Sequence, residues 1–528
     1  MFRFNHWLRL LLIVCGIVLL MPGSYQPTAA QDQCGTLDVI NYPIDQNTFQ
    51  LAQNYGTASP RHQGRYHTGE DWFAGYGATR GQPVRAVGRG LVTLSSPTAW
   101  GVDGGVVIIR HTLEDGSFVY SQYGHIEQTE TVRFPARLSC VEAGEVIGVI
   151  GDARPAPHLH FEMRVYTAQN PAIADTPGPG YTRTPPDMLG WRRPAHLVTN
   201  LQARLSRAFL WETALATYRR PTPPLLLNDN SLLVVDGDRL RRVTNDGRIM
   251  WRVTLPARAV NLHGLAAQSF VTLADGDVLQ VNVENGALTF AYALDFQPTA
   301  PPLDITNGRL YPTSTGTLNA VSVDQRETYW QADAAPTFEH GIATDSLVVL
   351  ASQEAVTFYS ADGLLLDTAE LEAGAALAAT PEGDAILYTR GGLWRVDSTG
   401  EWSLLLSDIP PGGSNSAVLM MADGRIYLTD GSVIYAYNPD GSAAWQARLP
   451  QQLEGRIHLQ NWDGILFIIA THGRFVALRD SGGVCGFGAM YGDEDATLWY
   501  DRGPDNVLRI SLGDRIMGFG WERLTNAC

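Results

Sequence analysis

Four histidines and one aspartate lie in three short segments, residues 66–71, 123–126 and 158–162, and together they could hold a metal ion. Imidazole nitrogen and carboxylate oxygen are ligand types that zinc takes in proteins. Two ligands from one segment and a third from a downstream strand would leave a coordination position open for water, and open zinc sites are catalytic ones. The five residues are His67, Asp71, His125, His158 and His160.

The spacing of His158 and His160 predicts how their strand positions them. Residues i and i+2 of a strand face the same side, so both imidazoles can point into one groove. A histidine with a pKa of about 6.5 is suited to take a proton from water or to stabilise a developing oxyanion. We therefore expect a hydrolytic site that combines a metal with free imidazoles.

Several other segments of the first third of the chain complete the pattern. They are a stretch over 81–92 that contains three glycines, an alternating strand over 105–111 and a turn and strand over 142–148. With the three motifs, in this order and spacing, residues 60–166 resemble the lysostaphin/LytM-type zinc metallopeptidases of bacterial cell walls. The resemblance implies an antiparallel β-sheet peptidase domain that hydrolyses peptide bonds in peptidoglycan stem peptides or cross-bridges.

The same resemblance implies a division of roles among the five residues. His67, Asp71 and His160 fall on the positions of the zinc ligands, so Zn²⁺ is the expected cofactor. His125 and His158 fall on the two catalytic, non-ligand positions. Which of these two histidines accepts the proton stays open.

The stretch before the His-Leu-His motif departs from the family's pattern. Residues 152–157 are shorter than the usual Gly/Ser/Thr-rich segment, and Glu70 stands where the family generally has an apolar residue. The family's usual preference for glycine bridges is therefore not carried over. Arg154 could meet a substrate carboxylate, although a solvated loop arginine is the more common reading. Outside the five residues, lone histidines are read as surface or core residues: His62, His111 and His196.

The first thirty residues read as a secretory signal peptide. Arg3 and Arg9 form a basic start, residues 10–21 an apolar core, and residues 28–30 a small-residue cleavage site. Twelve apolar residues fall short of the roughly 20 that span a bilayer, although retention of the segment as an anchor stays open. We expect a secreted or cell-envelope protein without a membrane span after signal removal.

Cysteine usage agrees with export. Without the signal, four cysteines remain, and four cysteines allow three pairings. The favoured pairs are Cys34–Cys140 in the first domain and Cys485–Cys528 in the last, with free buried thiols as the alternative.

Charge and composition exclude several function classes. A net charge of −16 argues against nucleic acid and against electrostatic capture by anionic polymers or lipid surfaces. The chain contains no lysine, which excludes a P-loop and Schiff-base chemistry. Length predicts more than one domain.

After a Pro-rich stretch over residues 171–194, the sequence becomes periodic. Turns of the Asp-Gly type, such as Asp246-Gly247, Asp362-Gly363 and Asp440-Gly441, recur about every 40 residues, a period typical of four-stranded propeller blades. Residues 201–490 resemble PQQ-like (quinoprotein-type) repeats, and the aromatic residue after each turn is expected to pack between blades. The pattern predicts seven blades, with eight as the alternative, and a strand around Trp211 that closes the ring.

The predicted organisation is therefore all-β: a signal peptide over 1–30, a LytM-type peptidase domain with its Pro-rich linker over 31–200, a β-propeller over 201–490, and an unassigned tail over 491–528. The leading function is a secreted zinc endopeptidase whose propeller binds an unknown protein or wall ligand. The alternative is a catalytically silent propeller scaffold with an accessory peptidase-like domain. A PQQ-dependent dehydrogenase fits poorly. Those enzymes have a disulfide between adjacent cysteines at the cofactor, and no two cysteines are adjacent in this chain.

Overall fold

The computed structural model describes residues 34–528, apart from 168–169, 171–172, 174, 219–221, 266, 307, 323–326, 334–339 and 493–495. The predicted signal peptide and parts of the predicted repeat array, including residues 323–326, lie outside the described residues. Among the helices that are described, none combines the length and the apolar character that crossing a membrane requires. The chain is all-β, as predicted, with two regions of different architecture.

The first region is a β-sheet domain. Its strands β1–β13 span, in chain order, Gln50–Gln53, Ala58–Ser59, Arg65–His67, Glu70–Phe73, Pro83–Arg85, Gly90–Ser96, Gly105–Thr112, Phe118–Glu127, Cys140–Val141, Val146–Ile150, Leu159–Val165, Tyr181–Thr182 and Trp191–Arg192. Short 3₁₀ turns span Pro60–His62, Gly101–Asp103 and Pro186–Leu189.

Ten of these strands form one antiparallel sheet, in which β1-β4-β11-β8-β7-β6-β9 is the main order. The long strands β7, β8 and β11 are buried over most of their length. The sequences of β7 and β8 are rich in the β-branched and aromatic residues that favour strands. Val107, Ile109, Tyr123 and Phe161 belong to the apolar cluster on one face of this sheet. The sheet is therefore a rigid support for side chains on its other face.

A second, three-stranded sheet in the order β12-β3-β2 lies beside the first. Strand β12 comes from the Pro-rich stretch that the sequence predicted to be a linker. Residues 175–182, here called the strap, run back to the first domain, and Tyr181 pairs with His67 across β12 and β3. The Pro-rich stretch is thus part of the domain that precedes it.

Helix α1, Pro194–Arg204, connects the two regions and begins with a proline at its first turn, a favoured position because the proline needs no hydrogen-bond donor there. Val198 and Leu201 pack into the core of the first domain, whereas Ala203 packs into the propeller. The predicted domain boundary at residues 200/201 therefore falls within this helix.

The second region consists of four-stranded antiparallel sheets. The first four sheets contain β15–β18 (Leu225–Leu226, Leu232–Asp236, Arg239–Val243 and Ile249–Thr254), β19–β22 (Ala259–Leu265, Gln268–Leu273, Asp277–Val281 and Leu288–Ala293), β23–β26 (Leu303–Ile305, Gly308–Pro312, Thr317–Ser322 and Thr328–Asp333) and β27–β30 (His340–Ala343, Leu347–Ala351, Ala355–Ser360 and Leu365–Glu370). The next three contain β31–β34 (Ala376–Ala379, Ala385–Thr389, Gly392–Val396 and Trp402–Leu406), β35–β38 (Ala417–Met420, Ile426–Thr429, Val433–Tyr437 and Ala443–Arg448) and β39–β42 (Ile457–Trp462, Ile465–Ala470, Arg474–Arg479 and Val484–Ala489). The eighth sheet contains β14 (Phe209–Ala214) and β43–β45 (Leu498–Arg502, Val507–Leu512 and Arg515–Gly520).

The described residues thus form eight four-stranded sheets in a propeller-like arrangement, which is the alternative count and corrects the leading prediction of seven. The eighth sheet lacks the repeat pattern because its strands come from both ends of the region. Strand β14 pairs with β45, as the predicted ring-closing strand around Trp211 requires. The tail supplies the other three strands, and the short helix α2, Trp521–Leu524, follows them.

The turn glycines explain how neighbouring sheets pack. A Cβ atom on Gly247 would lie 2.6 Å from the ring of Trp211, and one on Gly286 would lie 2.7 Å from Trp251. Both glycines have a positive φ, which favours glycine. The tryptophan of one sheet therefore covers the turn of the next, as the repeat pattern predicts.

Two disulfides have the predicted pairing. Cys34 is bonded to Cys140 in the first domain, and Cys485 is bonded to Cys528 in the propeller. Each bond joins segments that are distant in sequence and lie within one region.

Candidate active site

The side chains of His67, Asp71 and His160 converge at one buried point of the first domain. Nε2 of His67 lies 3.0 Å from Nδ1 of His160 and 3.1 Å from Oδ1 of Asp71. Nδ1 of His160 lies 2.9 Å from Oδ1 of Asp71. Ligand atoms at about 2.0–2.1 Å from a tetrahedral zinc ion would lie about 3.3 Å apart. The three donor atoms are therefore close enough to share one ion.

Strand register accounts for this convergence. His160 on β11 is directly opposite Asp71 on β4 and, on its other side, Gly124 on β8. His67 lies at the end of β3, four residues before Asp71. The His-Leu-His strand thus lies between the two other motifs, and the sheet brings together residues that are about 90 positions apart.

The ring nitrogens that face away from the convergence point have other partners. Nδ1 of His67 donates to the carbonyl oxygen of Asn54 at 3.2 Å, and Nε2 of His160 donates to Oε1 of Glu162 at 2.9 Å. Such outer contacts fix the orientation and the tautomer of metal-binding histidines. They leave Nε2 of His67 and Nδ1 of His160 as the atoms that can hold a metal.

The electrostatics of the cluster favour positive charge. Burial opposes ionisation of Asp71, but hydrogen bonds from His160 and His67 outweigh it and hold the pKa of this carboxyl well below its usual range. Burial also opposes protonation of His160, yet Asp71 and Glu162 raise its pKa to about 9. A site whose carboxylates stabilise a cation at this point fits a divalent metal.

Gly69 allows the close approach on which the cluster depends. A Cβ atom at this position would lie 2.4 Å from the carbonyl oxygen of Phe161 and 2.9 Å from Nε2 of His160. Both distances are shorter than side chains allow, so a larger residue would displace His160. The glycine of the His-Thr-Gly-Glu-Asp segment is therefore required by packing.

His125 and His158 lie beside the cluster, with ring centroids 4.4 Å apart. Nδ1 of His125 donates to the carbonyl oxygen of Asp103, and Nδ1 of His158 donates to that of Ala156, each at 2.7 Å. A carbonyl oxygen only accepts, so these nitrogens carry the hydrogens. In a neutral ring, the Nε2 atom is then the acceptor.

Proximity and burial set the chemistry of the two histidines. Nε2 of His158 lies 3.6 Å from Oδ2 of Asp71, which places this ring at the edge of the metal cluster. Burial, together with the neighbouring His158 and His160, lowers the pKa of His125 to about 3. His125 is consequently neutral near pH 7, and its Nε2 can accept a hydrogen bond.

A cleft of about 640 Å³ opens beside these residues, lined by Asp71, His125, His158 and His160 among others. One wall is Trp100, whose ring centroid lies 4.7 Å from that of His125. Its indole nitrogen donates to the carbonyl oxygen of Gly178 in the strap at 2.8 Å.

Two residues that the sequence did not assign to the site complete the cleft. Tyr181 of the strap stacks on His62, with ring centroids 3.6 Å apart, and its hydroxyl donates to Gln53 at 3.0 Å. His62 was expected to be an ordinary surface or core histidine, but it lines the cleft. The two other histidines read in this way have partners elsewhere: His111 bonds to Arg89 and Ser121, and His196 pairs with Asp514.

Arg154 lines the cleft and is paired with a carboxylate of the same domain. Its Nε and Nη2 atoms donate to the two carboxylate oxygens of Asp103 at 2.9 and 2.8 Å. Because the carbonyl oxygen of Asp103 holds His125, this bidentate pair joins the loop before His158 to the turn that supports His125. We call it the cleft clasp.

Sequence reasoning also missed Glu162, Trp100 and the strap. For Glu162 the signal was present: residues 158, 160 and 162 alternate along one strand, so their side chains share a face. Trp100 and the strap could not be found in this way, because their contacts with the cleft depend on loop conformations.

Comparison with known proteins agrees with this geometry in the first domain. A family model described as Peptidase family M23 matches residues 65–171. Over these residues the chain is similar to domains of peptidase family M23. The match includes all five site residues, and it supports a metallopeptidase-type domain in this part of the chain. No curated protein matches the chain.

Solved structures similar to the chain are of low identity. BamB from Moraxella catarrhalis is 14% identical, with a TM-score of 0.40, and the match covers 58% of this chain and 99% of that one. The computationally designed Ika8 protein is 13% identical, with a TM-score of 0.43, and the match covers 59% of this chain and 99% of that one. Sqt1 of Saccharomyces cerevisiae is 11% identical, with a TM-score of 0.44, and the match covers 60% of this chain and 99% of that one. Similarity at this level does not extend to function.

Proposed function

We propose that this protein is an extracytoplasmic zinc-dependent endopeptidase that hydrolyses peptide bonds in peptidoglycan stem peptides or cross-bridges. The observation that carries the proposal is the convergence of donor atoms from His67, Asp71 and His160, about 3 Å apart, beside two further imidazoles on one cleft. A structural zinc site would be closed by a fourth side chain, whereas three protein ligands leave a position for water.

In this proposal His67, Asp71 and His160 hold the metal. Zinc supplies Lewis acidity, which makes water a better nucleophile and a peptide carbonyl a better electrophile. The donor set of two imidazoles and one carboxylate is of the kind found in zinc hydrolases. The contacts of Asn54 and Glu162 with the outer nitrogens hold the rings in place.

His125 and His158 act on protons and on the developing charge. The neutral ring of His125 can take a proton at Nε2, and the carbonyl oxygen of Asp103 then stabilises the charged ring through Nδ1. His158 is oriented in the same way by Ala156. The assignment of base and oxyanion partner between the two stays open.

Two features support an extracytoplasmic location and a polymer substrate. Disulfides such as Cys34–Cys140 and Cys485–Cys528 persist in oxidising compartments. The cleft lies beside His125, His158 and two of the three candidate metal ligands, where a segment of the polymer would be bound. The propeller is assigned the binding of a protein partner or of the wall, because its sheets offer a large surface and carry no part of the cleft.

Zymography with the purified chain tests the proposal. Clearing of a peptidoglycan gel should occur in buffer, disappear after chelation and return with added zinc. His67→Ala should be inactive, whereas His472→Ala, a change at a propeller histidine paired with Glu454, should be fully active. Clearing that persists in His67→Ala would contradict the proposal. Absence of clearing under all metal conditions would instead favour the silent propeller scaffold.

A further inference from the structure

Glu162 is a fully buried carboxylate that accepts hydrogen bonds from four side chains. Its Oε1 atom accepts from Nε2 of His160 at 2.9 Å and from the hydroxyl of Thr68 at 2.6 Å. Its Oε2 atom accepts from Nε of Arg164 and from the indole nitrogen of Trp191, each at 2.7 Å. With both oxygens engaged, the carboxylate cannot rotate, and it presents a fixed charged acceptor to His160.

Arg164 extends this network to the strap. It is fully buried as well, and its Nη1 atom donates to the carbonyl oxygens of Ile173 and Thr176 at 2.7 and 2.9 Å. Its Nη2 atom donates to Oε1 of Gln122, which also accepts the backbone N–H of Gly178 at 3.3 Å. The path of the strap past the cleft is therefore set by the guanidinium group.

We infer that Glu162 and Arg164 are a pair of positioning residues, in which Glu162 fixes the ring of His160 and Arg164 fixes the strap that forms a wall of the cleft. One buried ion pair thereby sets both the metal cluster and the substrate side of the cleft. The inference rests on the proposed function in one respect, namely that His160 binds the metal.

A purely structural role does not account for the pair. Removing two charges from water is costly, and an apolar pair of the same volume is often as stable or more stable. An apolar pair could not accept a hydrogen bond from His160 or donate to Ile173 and Thr176. These directed contacts are what the ion pair adds: one orients His160, and the others hold the segment that leads into the strap.

The metal side is tested with Glu162→Gln, which keeps the side-chain size and removes the charge. We expect zinc affinity, measured on the full chain by competition with a coloured chelator, to fall about 10- to 100-fold. Asp505→Asn is the matched control, because Asp505 pairs with the fully buried Arg509 in the propeller. Unchanged affinity in Glu162→Gln, or an equal loss in Asp505→Asn, would overturn the metal-side role.

A second variant keeps this test valid if Glu162→Gln fails to fold. Thr68→Val removes one donor from Oε1 of Glu162 and leaves the pair with Arg164 intact. It should reduce zinc affinity about threefold, because the carboxylate that orients His160 becomes less constrained. Wild-type affinity in Thr68→Val would count against the role of Glu162.

The strap side is tested with Arg164→Lys, which keeps the charge but cannot reach all four acceptors. Hydrogen exchange in residues 175–182 should become about tenfold faster, since loss of one or two hydrogen bonds eases local opening. Arg509→Lys is the control for the general effect of changing a buried arginine. Strap exchange that rises no more in Arg164→Lys than in Arg509→Lys would overturn the role of Arg164.

These readouts separate the inference from the proposed function. Zinc affinity and strap exchange require no hydrolysis of peptidoglycan, so both can be measured if the wild-type chain clears no gel. In that case the proposed substrate would be wrong while the positioning pair stands. If the wild type cleared the gel and Glu162→Gln kept the wild-type zinc affinity, the proposed function would stand and the role of Glu162 would be wrong.

Discussion

His125 donates from Nδ1 to the carbonyl oxygen of Asp103 at 2.7 Å while its own backbone has a φ of +61°. A non-glycine residue in this region costs about 1–3 kcal/mol and persists where the surroundings determine it strongly. Here the surroundings are the ring of Trp100 and the turn that ends at Asp103. The orientation of His125 is therefore maintained by contacts outside its own strand.

The ligand assignment predicts the metal content of variants. His67→Ala and His160→Ala each remove one of three protein ligands, so zinc bound per chain should fall sharply after dialysis. Atomic absorption on the purified proteins measures this, with His472→Ala as the control. Full zinc occupancy in both variants would show that the assignment is wrong.

The catalytic histidines should behave differently from the ligands. His125→Ala and His158→Ala should keep zinc near the wild-type level and lose about 10²- to 10⁴-fold in rate, the usual effect of removing a general acid or base. Metal analysis and gel clearing on the same preparations test this. Loss of zinc from His158→Ala would mean that the roles of His158 and His160 are exchanged.

The cleft clasp predicts a loss of rate without a loss of stability. The Arg154 side chain is 77% exposed, and exposed ion pairs contribute about 0–1 kcal/mol. Arg154→Gln should therefore melt like wild type and bind zinc normally. Its rate should fall about tenfold or more, because the turn that holds His125 is released.

Arg80→Gln is the control for Arg154→Gln, since Arg80 forms an exposed pair with Glu127 in the same domain. This variant should keep its full rate. Equal rates in the two variants would show that the clasp does not act through His125.

The propeller should lose stability in mild acid. Burial, followed by the charge of Arg309, lowers the pKa of His263 to about 3. As the pH falls below about 6.5, the unfolded chain binds a proton that the folded chain does not, so stability decreases until about pH 3. Between pH 6.5 and 4.5 this group should cost about 2 to 3 kcal/mol.

Denaturant unfolding of His263→Phe at these two pH values checks the effect. The variant should show a smaller decrease in unfolding free energy than the wild type. Phe270→Leu, which alters the residue stacked on His263 without removing a titrating group, should keep the wild-type difference. An identical decrease in His263→Phe and wild type would exclude His263 as the source.

The two regions are predicted to fold separately, with a boundary after helix α1. A division at 200/201 would cut this helix, so fragments 34–206 and 207–528 are the suitable ones. The second should fold alone as an all-β protein and bind no PQQ, because the cores lie between its sheets. The first should keep its zinc. Circular dichroism and metal analysis measure both, and obligatory co-folding would contradict the prediction.

The sequence predicted the site more completely than the architecture around it. His67, Asp71, His125, His158 and His160 were found because strand periodicity and ligand chemistry both depend on residue type and short spacing. The structure brings all five together, and their separate roles stay predictions. What the sequence could not provide is the set of loops: the clasp of Arg154 and the strap depend on contacts between segments without periodic structure.

In the propeller, too, the sequence predicts what local patterns encode and misses what depends on contacts between distant segments. Seven of the sheets are predicted from the sequence by Asp-Gly-type turns and the aromatic residues that follow them. The eighth combines β14 with three strands of the tail, so no single stretch carries its pattern. Its existence follows from pairing between the two ends of the region, which a local repeat does not encode.

The eighth sheet also determines when the propeller can be completed, because it needs β43–β45 from the end of the chain. The amide nitrogen of Tyr491 donates to Asn200 of helix α1 at 3.0 Å, and Asp514 pairs with His196 of the same helix. During synthesis the peptidase domain emerges first, whereas Tyr491 and Asp514, which bond to its last helix, emerge after all seven other sheets. A chain that ended before residue 498 would lack β43–β45, so β14 would expose the edge that it pairs with β45 in the complete sheet.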